Sequence, residues 1–260
     1  MRTITIPLEL MLSTNCNWDI DWRSQSIGET NAASRQIVYN AFPRWIGSPQ
    51  LALEGQKIAE WRAIRARAQG RRNAYRVPMI DPLSFDYGLI TKSEAERGII
   101  PTTSNPFSDG KGYEFVPFWN VVGEPYGVFD GSGQGTLPSA GAYQVWLDVG
   151  NINAVPKIGG IYSINDYPFV VTEAIALRSL VREDDYLANS GEGAEEVYRQ
   201  LESIIRLTVE MPLRKAVTAD NAISTIAFGI FFAEDDATGS ISYGGEQYAS
   251  PTLNFVEWVR

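Results

Sequence analysis

Residues 44–82 read RWIGSPQLALEGQKIAEWRAIRARAQGRRNAYRVPMIDP, and this stretch decides how the chain is understood. Gln50–Leu53 is a short apolar run of the strand kind. From about Glu54 to Gln69 the period changes. Ile58, Trp61, Ile64 and Ala68 fall at spacings of three and four, no proline intervenes, and Gly70 supplies a stop, so the pattern predicts a packed helix. Outside it, the apolar segments are short, rich in Val, Ile, Tyr and Trp, and separated by Gly, Pro, Asn and Asp. Gln36–Tyr39, Ala142–Asp148, Ile161–Ile164, Ile223–Phe232, Ser240–Tyr243 and Thr252–Val259 all read as strands, with a turn at Asp235–Gly239. A second helix is read over Gly193–Ile205, where Val197, Leu201, Ile204 and Ile205 share a face.

The pattern predicts a mainly β protein with one packed α-helix, interrupted by a small inserted β-barrel or sandwich domain. Residues 1–85 form the first part of the main β domain with its helix, residues 86–180 the loop-rich insertion and small β domain, and residues 181–260 the return that completes the main domain. The insertion begins with the Gly/Pro-rich stretch Asp86–Leu137, which holds Pro101, Pro106, Pro117, Pro125 and the run Gly131–Gly135 (GSGQG). It continues into Ala140–Ala176, with β alternation around a Gly159-Gly160 turn. Glu183–Glu196 carries six acidic residues and no basic one, and reads as a solvated connection.

Composition excludes much chemistry. The chain of 260 residues has no histidine and one cysteine, Cys16. No imidazole base, histidine metal site, internal disulfide or clustered-thiolate site can be built from it. Cys16 lies between two asparagines with no cation beside it, so nothing marks it as a nucleophile. With 44% hydrophobic and 20% charged residues the chain can bury a sizeable core. Met1–Leu12 has an Arg followed by apolar residues, but Glu9 interrupts it and no small-residue cleavage site follows, so a first β-strand is expected in place of a signal peptide. No stretch approaches the roughly 20 apolar residues of a membrane helix, so no membrane segment is expected and synthesis in the cytoplasm is. The net charge of −9 is uneven: residues 1–85 hold eleven basic against seven acidic residues, and residues 86–260 eleven against twenty-four.

Several motifs invite a chemical reading and fail on detail. GSGQG lacks the third glycine of a dinucleotide loop and the Lys-Ser/Thr pair of a phosphate loop. The pairs Asp19/Asp21, Asp184/Asp185 and Asp235/Asp236 sit in turn-like polar sequence and read as solvated residues, not as a glycosidase couple. Glu234-Asp235-Asp236 lacks the alternating ligands of a calcium loop. Lys57, Arg62, Arg65, Arg67, Arg71, Arg72 and Arg76 form a basic run. It reads as the salt-bridged outer face of the helix or as a charged subunit interface, with Arg62, Arg65, Arg71 and Arg72 as candidates, ahead of a nucleic-acid site. Of the tryptophans, Trp45, Trp61, Trp146 and Trp258 sit in periodic apolar context and read as core, whereas Trp18, Trp22 and Trp119 do not.

Arg44-Trp45-Ile46-Gly47, a strand, the helix with Trp61-Arg62-Ala63, then Gln69–Arg76 (QGRRNAYR) and Asp81-Pro82 together resemble the N-terminal part of tailed-bacteriophage minor tail proteins of the distal-tail, or tail-tip adaptor, kind. Phe107–Gly110 (FSDG), the small β domain around Gly141–Thr172, Pro212–Ala216 (PLRKA) and Asn254–Glu257 (NFVE) extend the likeness; Glu183–Glu196 departs from it. The resemblance implies a tail-tube-like β-sandwich with an inserted domain. It implies a non-enzymatic virion protein without cofactor, metal or catalytic residues, assembled in the host cytoplasm. Copies, commonly six, would form a homo-oligomeric ring in the baseplate or tail tip. That ring would join the tail tube protein to hub and tip proteins and the host-recognition apparatus, and DNA would pass through it without specific binding. The alternative is a carbohydrate-binding, receptor-recognition module of such a tail tip, with Tyr113, Trp119 and Tyr126 as exposed aromatics. A carboxylate-only enzyme is a distant third.

Overall fold

The structure is a computed structural model of the chain. It describes residues 1–11, 17–29, 35–38, 43–81, 118–122, 137–148, 156–176, 204–218, 221–224, 226–242 and 248–258, with only the backbone of 25–29, 35–38 and 118–120. The N-terminal segment holds β1 (Thr3–Thr5), α1 (Leu8–Met11), β2 (Trp18–Asp21), β3 (Gln25–Glu29), β4 (Arg35–Val38), β5 (Arg44–Gly47), β6 (Leu53–Glu54), α2 (Gln56–Ala68), a 3₁₀ turn (Gly70–Arg72) and β7 (Ala74–Met79). There follow β8 (Phe118–Val122), β9 (Gln144–Asp148), β10 (Ile161–Ile164), β11 (Tyr167–Ala176), β12 (Ile204–Val209) and β13 (Ala222–Ser224). The chain ends with β14 (Ala227–Ala233), β15 (Tyr248–Ala249) and β16 (Phe255–Glu257). The protein is mainly β and divides into two compact units, Met1–Ile80 with Phe228–Arg260, and Asp81–Ala227.

The first unit is built on a six-stranded sheet in the order β1-β7-β14-β16-β5-β2. β1 runs parallel to β7, pairing Thr3 with Ala74, and such a pair requires a crossover, here the long connection that carries α2. β14 with β16, β16 with β5 and β5 with β2 are antiparallel. β3 pairs with β4 and β6 with β15 in separate ribbons. α2 buries the stripe read from its sequence: Ile58, Trp61, Ile64 and Ala68. It ends at Gln69, which takes the left-handed conformation (φ 53°), and Gly70 follows at φ 65°. Asn73 closes the helix: its N–H donates to the Ala68 carbonyl at 3.2 Å, its Nδ2 to the Arg67 carbonyl at 3.2 Å, and its Oδ1 accepts from the Arg2 N–H at 3.0 Å.

An aromatic chain runs through this core. The rings of Trp61 and Tyr75 are 6.5 Å apart, Tyr75 and Phe255 5.4 Å, Phe255 and Phe231 5.9 Å, and Phe231 and Trp18 5.2 Å. It links α2 to β7, β16, β14 and β2. The buried Glu257 accepts the Trp45 N–H at 2.9 Å through Oε2.

The second unit is a closed antiparallel barrel in the order β10-β11-β12-β9-β8-β13. Alternate residues point inward, among them Val145 and Leu147, Tyr162 and Ile164, Phe169 and Val171, Ile205, Leu207 and Val209, and they fill the interior. The β10–β11 hairpin turns on Asn165-Asp166, both left-handed (φ 53° and 64°), as a two-residue turn compatible with strand twist requires. Thr172 is an extra residue in β11, since Val171 pairs with Val209 and Glu173 with Thr208. Asp81, at the start of the unit, accepts the Ile161 N–H at 3.0 Å, and the Tyr162 hydroxyl accepts the Lys157 N–H at 2.8 Å.

Five expectations are corrected. The unit boundaries fall at 80/81 and 227/228, not at 85/86 and 180/181, because β12 and β13 pair with barrel strands. The Ile204 and Ile205 end of the expected second helix is strand, its β-branched residues held between β9 and β11; Val197 and Leu201 lie outside the described residues. Ile223–Phe232 is not one strand: β13 belongs to the barrel and β14 to the sheet. Met1–Leu12 is not one strand either, since Leu8–Met11 form a helical turn in which the Leu10 N–H donates to the Pro7 carbonyl at 3.1 Å. Likewise Ser240–Ser242 are not strand, and Tyr243 is outside the described residues.

Two predictions follow from the packing. Gly239 sits at φ 69°, and a Cβ there would enter the Trp61 ring and press on Leu253. Gly239→Ala is expected to cost about 2–4 kcal/mol, from left-handed strain plus overpacking, read by urea unfolding. Burial pushes the phenols of Tyr75 and Tyr162 above the ordinary 10.0; the Arg65 charge opposes this at Tyr75, and at Tyr162 the Lys157 amide opposes it while the Asp81 charge adds to it. Absorbance titration should therefore show a late-ionising component that shrinks in both Tyr75→Phe and Tyr162→Phe. The stability these phenols lend is present below pH 10 and lost as pH rises through their raised values.

Candidate functional site

The basic run is sorted by the helix that carries it. Arg65 lies at the edge of the buried stripe of α2 and turns inward, its Nε donating to the Thr238 carbonyl at 3.0 Å and its Nη2 to the Asp236 carbonyl at 2.9 Å. Beside it, Trp61 Nε1 donates to the Gly239 carbonyl at 2.9 Å. The Arg71 N–H donates to Asp236 Oδ1 at 3.1 Å, across Gly70, where a side chain would collide with that carboxylate. Thr238 donates from Oγ1 to Asp235 Oδ1 at 2.9 Å, stiffening the same turn. Asp235 and Asp236 thus organise the turn that α2 grips.

Arg76, in β7, is half-buried with its guanidinium 3.8 Å from the centre of the Phe228 ring. The remaining cations face outward. Lys57, Arg62, Arg67, Arg71 and Arg72 are exposed, and Arg72 reaches only Gln69 Oε1, at 2.9 Å. Among the described residues, none of these five has an ion-pair partner, so the expected salt-bridged face is absent there. Between Arg62 and Arg67 the outer surface of α2 is Ala59, Ala63 and Ala66, all exposed, and Glu60 is the only acidic residue of the helix. Sequence reading grouped Arg65 with Arg62 and passed over Arg67. Projecting every residue onto the wheel fixed by Ile58, Trp61, Ile64 and Ala68 separates them: Arg65 is 40–60° from Trp61 and Ala68, and Arg62 and Arg67 flank the far side.

The aromatic candidates divide differently. Trp45, Trp61 and Trp146 are buried; Trp22 is 42% exposed; Trp18 packs between Gly47 and Phe231. Trp119 is described only as backbone of β8, opposite Ile223, and Tyr113 and Tyr126 lie outside the described residues, as do GSGQG, Cys16, Asp184/Asp185 and Glu183–Glu196. Asp19 and Asp21 serve the edge of the sheet. Asp19 Oδ1 accepts the Ile20 N–H at 2.7 Å, and Asp21 accepts from Arg23 N–H and Arg44 Nε, each at 3.0 Å. Slight burial pushes the Asp21 carboxyl up, but the Arg23 amide and the Arg44 guanidinium outweigh it and hold it below the usual carboxylate value. In the barrel, the strip Met211–Lys215 meets Ile164–Phe169 in a shallow groove where Lys215 Nζ stands 5.3 Å from the centre of the Tyr167 ring. Among the described residues no three metal-ligating side chains converge, and no helix is long and apolar enough to cross a membrane.

The site with the most organised geometry is therefore the outer face of α2 and the 3₁₀ turn, a cationic surface on a helix anchored through Trp61 and Arg65. Compared with protein-family models and with curated proteins, the chain matches none. The division of labour among the arginines is measurable. Arg65→Ala should cost about 2 kcal/mol in thermal or urea unfolding, as two charge-assisted hydrogen bonds are lost, whereas Arg62→Ala should stay within about 0.5 kcal/mol. Equal losses would contradict the assignment.

Proposed function

We propose that this protein is a non-enzymatic virion component: an adaptor ring at the distal end of a bacteriophage tail, joining the tail tube to the hub and host-recognition apparatus. One observation supports the reading above others. The residues that carry the resemblance to distal-tail proteins are those that lock the first unit together: Trp61, Gly70, Arg71 and Asn73 fix α2 to the returning chain and to Arg2, just before β1. In this reading the first unit is the tail-tube-like sandwich and the barrel its inserted domain. The sheet ends at β1 and β2, and strand ends of this kind are commonly covered by neighbouring copies in closed rings. The barrel has no such edges and is filled by its own side chains, which suits a rigid appendage better than a ligand container.

Native mass spectrometry and electron microscopy of the purified chain should show closed rings of about six copies, and antibodies should label one end of the tail. A strictly monomeric protein absent from virions would refute the reading. Specific glycan binding without self-association would favour the receptor-recognition alternative instead.

A further inference from the structure

We propose that the outward face of α2 is the docking surface for a second copy of this chain, and that the carboxylates of Glu183–Glu196 are what it receives. The inference rests on the self-assembly reading and specifies its chemistry. Lys57, Arg62, Arg67, Arg71 and Arg72 are exposed on one short segment, none of them with an ion-pair partner among the described residues. Glu54 and Glu60 lie beside and on the helix, and Glu234, Asp235 and Asp236 lie in the gripped turn, on the side of α2 that carries Trp61 and Arg65, where Asp236 Oδ1 accepts the Arg71 N–H and Asp235 Oδ1 the Thr238 hydroxyl. Ala59, Ala63 and Ala66 keep the surface low between Arg62 and Arg67, so an incoming backbone can approach while its acidic side chains reach cations on both flanks. Arg65 holds the helix from beneath, so the face is presented by a fixed element.

The partner follows from charge. Residues 86–260 of every copy hold twenty-four acidic against eleven basic residues, and Glu183–Glu196 concentrates Glu183, Asp184, Asp185, Glu192, Glu195 and Glu196 with no cation among them. Two copies of a chain with net charge −9 repel at long range, and a contact that juxtaposes the cationic segment of one with an acidic segment of the other offsets that repulsion. Such exposed pairs are screened within about 10 Å at 0.1 M salt, which makes the contact salt-sensitive.

Sedimentation velocity of the full chain, over a range of concentrations at low and high salt, tests this. Wild-type self-association should weaken at least about tenfold at high salt, and R62E/R67E should weaken it by about tenfold at low salt, with circular dichroism unchanged. E192K/E195K/E196K should weaken it similarly, and the two sets combined should restore it to within about threefold of wild type. A wild-type chain that stays monomeric throughout sinks the ring reading itself. Self-association untouched by R62E/R67E overturns only the docking surface, and failure of the combined variant to recover overturns Glu183–Glu196 as its occupant. If R62E/R67E abolishes binding to a duplex DNA probe and leaves self-association intact, the face serves nucleic acid and the proposal is wrong.

Discussion

The first unit depends on one junction, the grip of α2 on the turn at residues 235–239. The Trp61 indole donates to Gly239 across 178 residues of sequence, while Arg65 caps two further carbonyls of the same turn. Turn carbonyls buried without donors cost free energy comparable to a lost hydrogen bond, and here donors come from a helix laid down far earlier in the chain. The glycines on either side of the junction are there for room as much as for φ. Gly70 admits the Asp236 carboxylate and Gly239 admits the Trp61 ring. The aromatic chain from Trp61 to Trp18 then carries that registration through the sheet, so helix placement and strand packing are settled together.

That junction explains how a complete domain can be inserted without dissolving its host. The entropy of closing a loop grows only with the logarithm of its length, about 0.6 kcal/mol for each doubling, so residues 81–227 burden the first unit little once the clasp forms. The barrel needs nothing from its host for its own ladder, because all six of its strands are paired within it. Among the described residues, its buried cluster runs from Val121 to Ile223, and a core and a closed ladder of its own are what a domain needs to fold as a unit.

What the sequence disclosed follows the strength of its local signals. The α2 stripe was legible because four apolar residues with 3.6 periodicity stand between two glycines, and the burial of Trp45, Trp61 and Trp146 because each lies in a periodic apolar run. Ile204 and Ile205 misled because two β-branched residues after a polar stretch fit a helix wheel and a strand equally; only pairing with β9 and β11 decides between them. Ile223–Phe232 misled for a related reason, since the polar pair Ser224-Thr225 is too short a break to tell that the two halves will join different sheets. At the candidate site, sequence located the cations but not their sorting. Whether an arginine is structural or displayed depends on which carbonyls lie across from it, and Thr238 and Asp236 come from the other end of the chain.

The displayed cations of α2 are arginines, apart from Lys57, and the chain contains no histidine. Arginine keeps its charge at every pH a protein survives, and carboxylates finish titrating well below neutrality. With no histidine in the chain, the surface lacks the side chain that serves proteins as their switch near neutral pH. What remains to tune it is the screening of its exposed charges by salt. Any assembly built through it would respond first to the salinity of its surroundings.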